Sequence, residues 1–417
     1  MVFKTDRICV WIFIVCLALM STVNWFGFLD ELTCLCLACL AFADCLLNPQ
    51  RINKYFPIFI LIAVLFFYVI YSVIIGSNGI KYILMDFVIQ IKSFMAFLIV
   101  FAISPSITTT ERKILKIICL INIVAMTFLL LMGDYYIDFF VGHIAYCGIT
   151  IFLNTIIFLF CSVDEEGNLA THHKIVVFVS LLVGLLCGRS KYYAEFLVVV
   201  FMLFLYKPGM MRKLNFKYVF MIVALIAVIV FSTWEKFSYY YLTGDSDSFN
   251  PEMAHSLARP ALYAGAGMIL LDYFPLGSGF ASFATYASLV SYSETYYEYG
   301  LNNVWGLSPN MSDFICDAFY AELAQFGIVG VALFVFFWTW VYKQFKVLTR
   351  KLVYKHFFIV GTAALWFIFV ECTSGSFFIQ TPGVVAMMII GFVTSIAQQD
   401  RELCLKNESK KIIKIKI

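Results

Sequence analysis

Apolar runs of about 20 residues recur along most of this chain, a length that crosses a hydrocarbon core of about 30 Å as a helix. A backbone in hydrocarbon must satisfy its own N–H and C=O groups, so continuous runs of this kind dictate membrane-spanning helices. Of the 417 residues, 62% are hydrophobic and 13% are charged, against about 25% charged in soluble domains. The chain therefore reads as an all-α, polytopic membrane protein, and no nucleic-acid partner is expected. The net charge of +3 decides little, because in a membrane the placement of charge matters more than its sum.

The runs resolve into about twelve predicted spans, 8–28, 30–47, 57–75, 81–103, 114–132, 139–162, 174–188, 191–206, 217–234, 317–341, 357–373 and 376–396. A cytoplasmic N-terminus collects Lys4, Arg7, Arg51, Lys54, Arg112, Lys113 and Lys174 on one side. The clusters at 207–217 and 343–355 and the tail "KNESKKIIKIKI" (406–417) join them. Only Lys81, Arg189, Lys191, Lys236 and Arg259 fall on the other side, with Lys92 inside the membrane. This asymmetry follows the positive-inside rule, and a miscount by one span would scramble it. Both termini are expected in the cytoplasm.

Four regions follow: helices in 1–234, a large outer loop with an interfacial helix in 235–316, three more spans in 317–396, and a basic tail in 397–417. The tail suits anionic lipids of the inner leaflet. The first apolar run lacks a clear small-residue cleavage site, so no cleavable signal peptide is expected. The 13 cysteines lie mostly within apolar runs, where Cys36-Leu-Ala-Cys39 reads as small apolar filler.

"LLVGLLCGRSKYYAEFLVVVFMLFLY" (181–206) constrains the chemistry. A charge near a bilayer centre costs roughly 2.5–3.5 kcal/mol, so the run reads as two short spans hinged at 188–191, with Arg189 and Lys191 at the outer face. In the outer segment Arg259 is the sole arginine and opens the stretch "LARPALYAGAGMILLDYFPLGSGFASFAT" (257–285). Pro260 suits a helix start, and Leu262, Met268, Ile269 and Leu270 give that helix an apolar face for the membrane surface. Pro275, Gly277 and Gly279 then end it in a turn.

"NMSDFICDAFYAELAQFGIVGVALFVFFW" (310–338) places Asp313, Asp317 and Glu322 near the outer boundary, with Asp313 and Asp317 sharing a helix face at a spacing of four. Gly327 and Gly330 suit close helix packing in lipid. Two arginines at a water–lipid boundary suit a phosphate or diphosphate, whose oxygens a guanidinium fork binds in pairs. The tyrosines of the loop, among them Tyr239, Tyr240, Tyr241, Tyr263, Tyr292 and Tyr296, suit sugar faces. Tyr263, Tyr320, Glu322, Lys191 and His143 are the candidate substrate contacts. Asp86, Gln90 and Lys92 within the fourth span are expected to face the bundle interior. Glu371 and Gln380 flank the short external turn "TSGS". Asp245-Ser-Asp247 has the spacing of a metal-holding DxD, a pattern frequent in loops. No Walker A, HExxH or Ser-His-Asp pattern occurs, and no metal or cofactor is expected.

Together, "GRSK" (188–191), Arg259 with "PLGSGFASF" (275–283), and "CDAFYAELAQFGIVG" (316–330) resemble the O-antigen polymerase and O-antigen ligase family of bacterial inner-membrane glycosyltransferases. The resemblance covers roughly residues 180–340 and implies a GT-C-like fold with a periplasmic loop. It implies undecaprenyl-diphosphate-linked oligosaccharides as donor and acceptor, with a chain-length regulator as a further partner. Arg189 and Arg259 match the family's phosphate-binding arginines. Ligases carry a His-Asn pair where this chain has Cys316 and Asp317, which favours polymerase over ligase. Asp317, or else Asp313, is then expected to orient or deprotonate the acceptor hydroxyl. The competing readings are a ligase, a flippase for the same lipid-linked sugar, and a non-catalytic scaffold.

Overall fold

A computed structural model describes residues 4–22, 25–208 and 257–415, together with 223, 227, 230, 234 and 238. The ninth predicted span (217–234) lies largely outside these residues, as do Lys236, Tyr239, Tyr240, Tyr241, Asp245 and Asp247. Helices dominate and no strand occurs among the described residues, where only two isolated bridges form. In chain order they are α1 (Thr5–Leu19), α2 (Leu29–Leu47), α3 (Phe56–Ile75), α4 (Ile80–Ile103), α5 (Thr109–Met132) and the short α6 (Asp134–Phe140). Next come α7 (Ile144–Ser162), α8 (Thr171–Gly184), α9 (Ser190–Phe204), α10 (Ala258–Asp272), α11 (Tyr286–Val290) and α12 (Thr295–Glu298). Last are α13 (Phe319–Glu322), α14 (Gly327–Lys346), α15 (Lys355–Glu371) and α16 (Thr381–Ile415).

Among the described residues, eight helical stretches are long and apolar enough to cross a membrane: Thr5–Thr22, Pro49–Ile75, Ile80–Ile103, Thr109–Met132, Ile144–Ser162, Phe319–Thr349, Leu352–Ser374 and Thr381–Arg401. The chain is thus an all-α, membrane-embedded protein. Thr171–Cys187 is apolar but shorter, and α2 carries Asp30, Glu31 and Asp44.

Apolarity and burial sort the helices. α7 is apolar around its whole circumference and is buried almost throughout, as the central helix of a bundle should be. The stretch Thr381–Arg401 is buried to the same degree, packed on α4 and α15. The most apolar stretch of all, Pro49–Ile75, is mostly exposed. Its bare side chains, Phe59, Ile60, Phe66, Phe67 and Ile74 among them, face the lipid, where apolarity is needed most.

Charges inside the bundle are compensated. Asp44, fully buried, accepts from Thr5 Oγ1 at 2.7 Å, Tyr55 OH at 2.7 Å and Asn48 Nδ2 at 2.9 Å. Lys92 points into the interior and is met by Asp30 and Glu31, each at 2.5 Å. Asp86 and Lys92, six apart on α4, make no pair with each other and take separate partners.

Residues 257–326 form a lobe with a core of its own: Leu262, Ala266, Ile269, Phe283, Tyr296, Leu301, Leu307 and Ile315. The stripe 258, 261, 262, 265, 266, 269 of α10 faces this core, a spacing set by 3.6 residues per turn. The expected membrane-surface face is therefore corrected. Leu262 and Ile269 are fully buried in the lobe, whereas Met268 and Leu271 are the exposed ones. Side-chain volume decides this, since the lobe needs apolar filling that its polar loops do not supply.

The lobe is locked to the bundle through backbone. Val329 N–H of α14 donates to Pro275 O at 3.3 Å, while within the lobe Gly277 N–H donates to Tyr273 O and Gly279 N–H to Gln325 O at 2.8 Å. Gly277 (φ +82°) and Gly327 (φ +61°) pack face to face, and a Cβ on Gly327 would lie 2.3 Å from Pro275 O. Gly327 therefore serves the turn at 275–279 rather than the helix packing expected of it, and Gly330 meets its own neighbour Phe326. From the bundle, Tyr71 OH donates to Gly277 O at 2.8 Å, Ser77 Oγ to Phe280 O at 2.8 Å, and Ser72 Oγ accepts from Phe280 N–H at 2.7 Å.

Gly327→Ala or Gly277→Ala is expected to destabilise the protein by about 2 kcal/mol or more, through strain at positive φ plus backbone overlap. Gly267→Ala in α10, where an added Cβ meets nothing within 4 Å, is expected to be neutral or to stabilise by about 0.5–1 kcal/mol. Melting curves of the detergent-purified variants measure both.

Candidate functional site

The end of the bundle that carries the lobe also gathers the hinge 187–191, the start of α7 and the turn 372–380. Gly188 adopts the left-handed conformation (φ +63°), which turns the chain between the 3-10 end of α8 and α9. Arg189 is the N-cap of α9 in an extended conformation. It is half-buried, and its guanidinium makes no hydrogen bond or ion pair with any described residue.

Lys191, the second residue of α9, is differently placed. Its Nζ donates to Glu371 Oε2 at 2.6 Å, Glu371 O at 3.1 Å and Ser374 O at 3.4 Å, and lies 5.1 Å from the Phe377 ring centre. With its side chain 16% and that of Glu371 6% exposed, this pair is well shielded, and removing one partner of such a pair costs about 3–5 kcal/mol. Lys191, expected as a substrate contact, instead fastens the external turn.

Arg259 sits in the first turn of α10, and its Nη2 lies 2.7 Å from Asp317 Oδ2. A cation at the positive end of a helix calls for an anion, and here the chain provides one. The two side chains are 28% and 26% exposed. After solvent screening, a pair of this exposure contributes about 0–1 kcal/mol.

His143 joins the two arginines. It caps α7, its Nδ1 accepting from Ala145 N–H at 3.1 Å. Burial first, then the charge of Arg189, holds its pKa below the usual histidine value, with Asp138 and Asp317 opposing and Arg259 adding to the depression. One imidazole thus feels Arg189, Arg259 and Asp317 together, which brings three distant parts of the sequence to one locality. The His143 ring is neutral near pH 7 and gains a proton only at lower pH.

The other expected site residues are dispersed. Asp313 is exposed in a turn, and the helix begins only at Phe319, so Asp313 and Asp317 do not share a helix face. The backbone there turns tightly, with Phe314 N–H donating to Gly306 O and Asp317 N–H to Phe314 O. Glu322 is fully buried and away from any outer surface. Tyr320 OH donates to Phe369 O at 2.9 Å and Tyr263 OH to Thr373 O at 2.8 Å, so both phenols help seat the turn after α15. Cys316 is a thiol that burial above all pushes up, which keeps it from acting as a thiolate nucleophile. Among the described residues no group of three or more His, Cys, Asp or Glu could hold a metal ion.

Several residues at this end carried no signal of function in the sequence. Ser376 Oγ reaches Cys316 O at 2.9 Å, and Tyr146 OH reaches Gln380 Oε1 at 2.6 Å. Glu195 is fully buried, and neither of its oxygens meets a hydrogen-bond donor. Its spacing of four from Lys191 on α9 was the only available hint. Beside this end, an apolar cavity of about 110 Å³ lies between α3, α4 and α14, lined by Leu61, Leu65, Tyr68, Phe94 and Phe334, with Gln90 as its polar wall.

Arg189→Gln is expected to raise the His143 titration point and Asp317→Asn to lower it, since the first removes a repelling charge and the second an attracting one. NMR titration of histidine-labelled protein, with His143→Gln to assign the signal, measures both. A titration point unmoved by Arg189→Gln means that the guanidinium lies elsewhere. No family model matches this chain, and no curated protein does.

Proposed function

We propose that this chain is a membrane glycosyltransferase of the O-antigen polymerase type, joining undecaprenyl-diphosphate-linked repeat units at the outer face of a bacterial inner membrane. The reading includes twelve spans, a periplasmic loop over 235–316 and cytoplasmic termini. The observation that supports it most is Arg189, a half-buried guanidinium without an ion-pair partner among the described residues, in the same locality as the pair of Arg259 and Asp317. An uncompensated cation at the bundle end is what a diphosphate would neutralise.

In the reaction, the hydroxyl oxygen of one lipid-linked unit attacks the anomeric carbon of the growing chain. The bond from that carbon to the diphosphate oxygen breaks, and Arg189 and Arg259 take up the charge developing on the leaving group. Asp317 accepts the hydroxyl proton. The pairing of Arg259 with Asp317 couples these roles: a phosphate that engages Arg259 frees the Asp317 carboxylate to act as base. The apolar cavity beside Gln90 suits part of an isoprenoid tail.

The ligase reading is disfavoured by Cys316, a free thiol at the position where ligases carry histidine. A flippase reading gains nothing from the interior cation Lys92, which Asp30 and Glu31 enclose.

Arg189→Ala and Arg259→Ala, at normal membrane levels, are expected to lower polymerisation by about a hundredfold or more, the scale of losing one donor to a developing anion. Asp317→Asn is expected to do the same, while Asp313→Asn leaves chain length unchanged. Gel analysis of surface glycans reads this as single capped repeats in place of long chains. Long chains persisting in both arginine variants would sink the proposal.

A further inference from the structure

Asp86 on α4 and Glu322 in α13 lie in the dry core, both fully buried, and neither pairs with a Lys or Arg among the described residues. Asp86 Oδ2 accepts from Ala281 N–H at 2.7 Å, and its Oδ1 lies 3.3 Å from Gln90 Nε2. The same Gln90 nitrogen bonds Glu322 Oε1. On its other side, Glu322 Oε2 lies 3.2 Å from Ser376 Oγ, which lies 2.9 Å from the carbonyl oxygen of Cys316. Two carboxyls sharing one amide, with no cation present, cannot both stay ionised, so one proton belongs to the pair.

Counting hydrogens locates it. Ser376 has a single hydroxyl hydrogen, and a carbonyl oxygen such as that of Cys316 only accepts. The serine hydrogen therefore goes to Cys316 O, and the contact between Glu322 and Ser376 needs a hydrogen on Glu322 Oε2. Asp86, in contrast, receives an N–H on each oxygen, as an ionised carboxylate does. The two Gln90 amide hydrogens then go one to Asp86 and one to the carbonyl oxygen of Glu322.

We propose that Glu322 is a neutral carboxylic acid that stores one proton in the core and acts as a positioning residue. Through Ser376 it ties the external turn 372–380 to Cys316, and hence to the segment that carries Asp317. The assignment does not depend on the transfer reaction. It also accounts for a glutamate beneath a water-facing site that no substrate can reach.

The test uses the full-length protein in lipid nanodiscs and three variants. Glu322→Gln, whose amide donates to Ser376 and accepts from Gln90, is expected to keep the melting temperature of the parent. Glu322→Ala lowers it by several degrees, because buried polar groups lose their partner. Asp86→Asn is also destabilising, since its amide would present N–H to an N–H donor. The infrared difference between parent and Glu322→Gln at neutral pH is expected to show the loss of one protonated-carboxyl C=O band. Absence of that band, or Glu322→Gln melting with Glu322→Ala, overturns the assignment. So does a tolerated Asp86→Asn, which would mean that Gln90 turns its oxygen to two neutral acids. None of these readouts requires glycan synthesis, so their failure is distinct from failure of the polymerase proposal.

Discussion

The structure depends on the cost of holding charge away from water. Interior charges are tolerable only with partners, because an isolated ion in low dielectric loses several kcal/mol of solvation. The chain meets this constraint locally and with different chemistry at each depth. Lys92 is enclosed by two carboxylates, Asp44 by hydroxyl and amide donors, and Lys191 by one carboxylate, two carbonyls and an aromatic ring. Arg189 departs from this pattern. Its side chain has neither an ion pair nor a hydrogen bond among the described residues, and the proposed reaction assigns it a place for an anion.

The lobe turns that place into a defined geometry. Arg259 and Asp317 both belong to 257–326, and their position relative to Arg189 rests on the lock between the turn at 275–279 and the start of α14. Two glycines make the lock possible because backbone there touches backbone. Ala281 and Ala284 sit in the same segment at φ of +59° and +57°, a conformation that costs a residue with a side chain about 1–2 kcal/mol. Both strained amides are held by buried acceptors, Ala281 N–H by Asp86 and Ala284 N–H by Tyr296 OH at 2.8 Å. Core carboxyl, strained turn and site arginine therefore form one mechanical unit.

Much of this was legible in the sequence where one-dimensional physics governs. Length and continuity of apolar runs give helices. Charges at 86 and 92 had to face inward, as they do. Of the candidate site residues, Arg189, Arg259, Asp317 and His143 share one locality, while Glu322 lies in the core. What was not legible depends on tertiary choice. The spacing of four between Asp313 and Asp317 implies a shared face only on a helix, and the chain turns there instead. The apolar residues of α10 fit a membrane surface equally well as a lobe core, and only the competing demand of Phe283, Tyr296 and Leu301 for partners decides between them. Which carboxylate would claim Lys191, in a chain with 26 acidic residues, could not be read from spacing, since Glu371 is far away in sequence.

Two ion pairs of the same elementary chemistry end with opposite duties, and burial separates them. Lys191 and Glu371 are shielded and multiply bonded, so exchanging a partner there would strand a charge, and the pair behaves as a fastening. Arg259 and Asp317 sit at the rim with about a quarter of each side chain exposed, where water screens the attraction. The proposed reaction asks for exchange at this pair, a binding cation and a base acting in sequence. Among cations of equal formal charge, solvent access thus separates the fastening pair from the one that the proposal assigns to exchange.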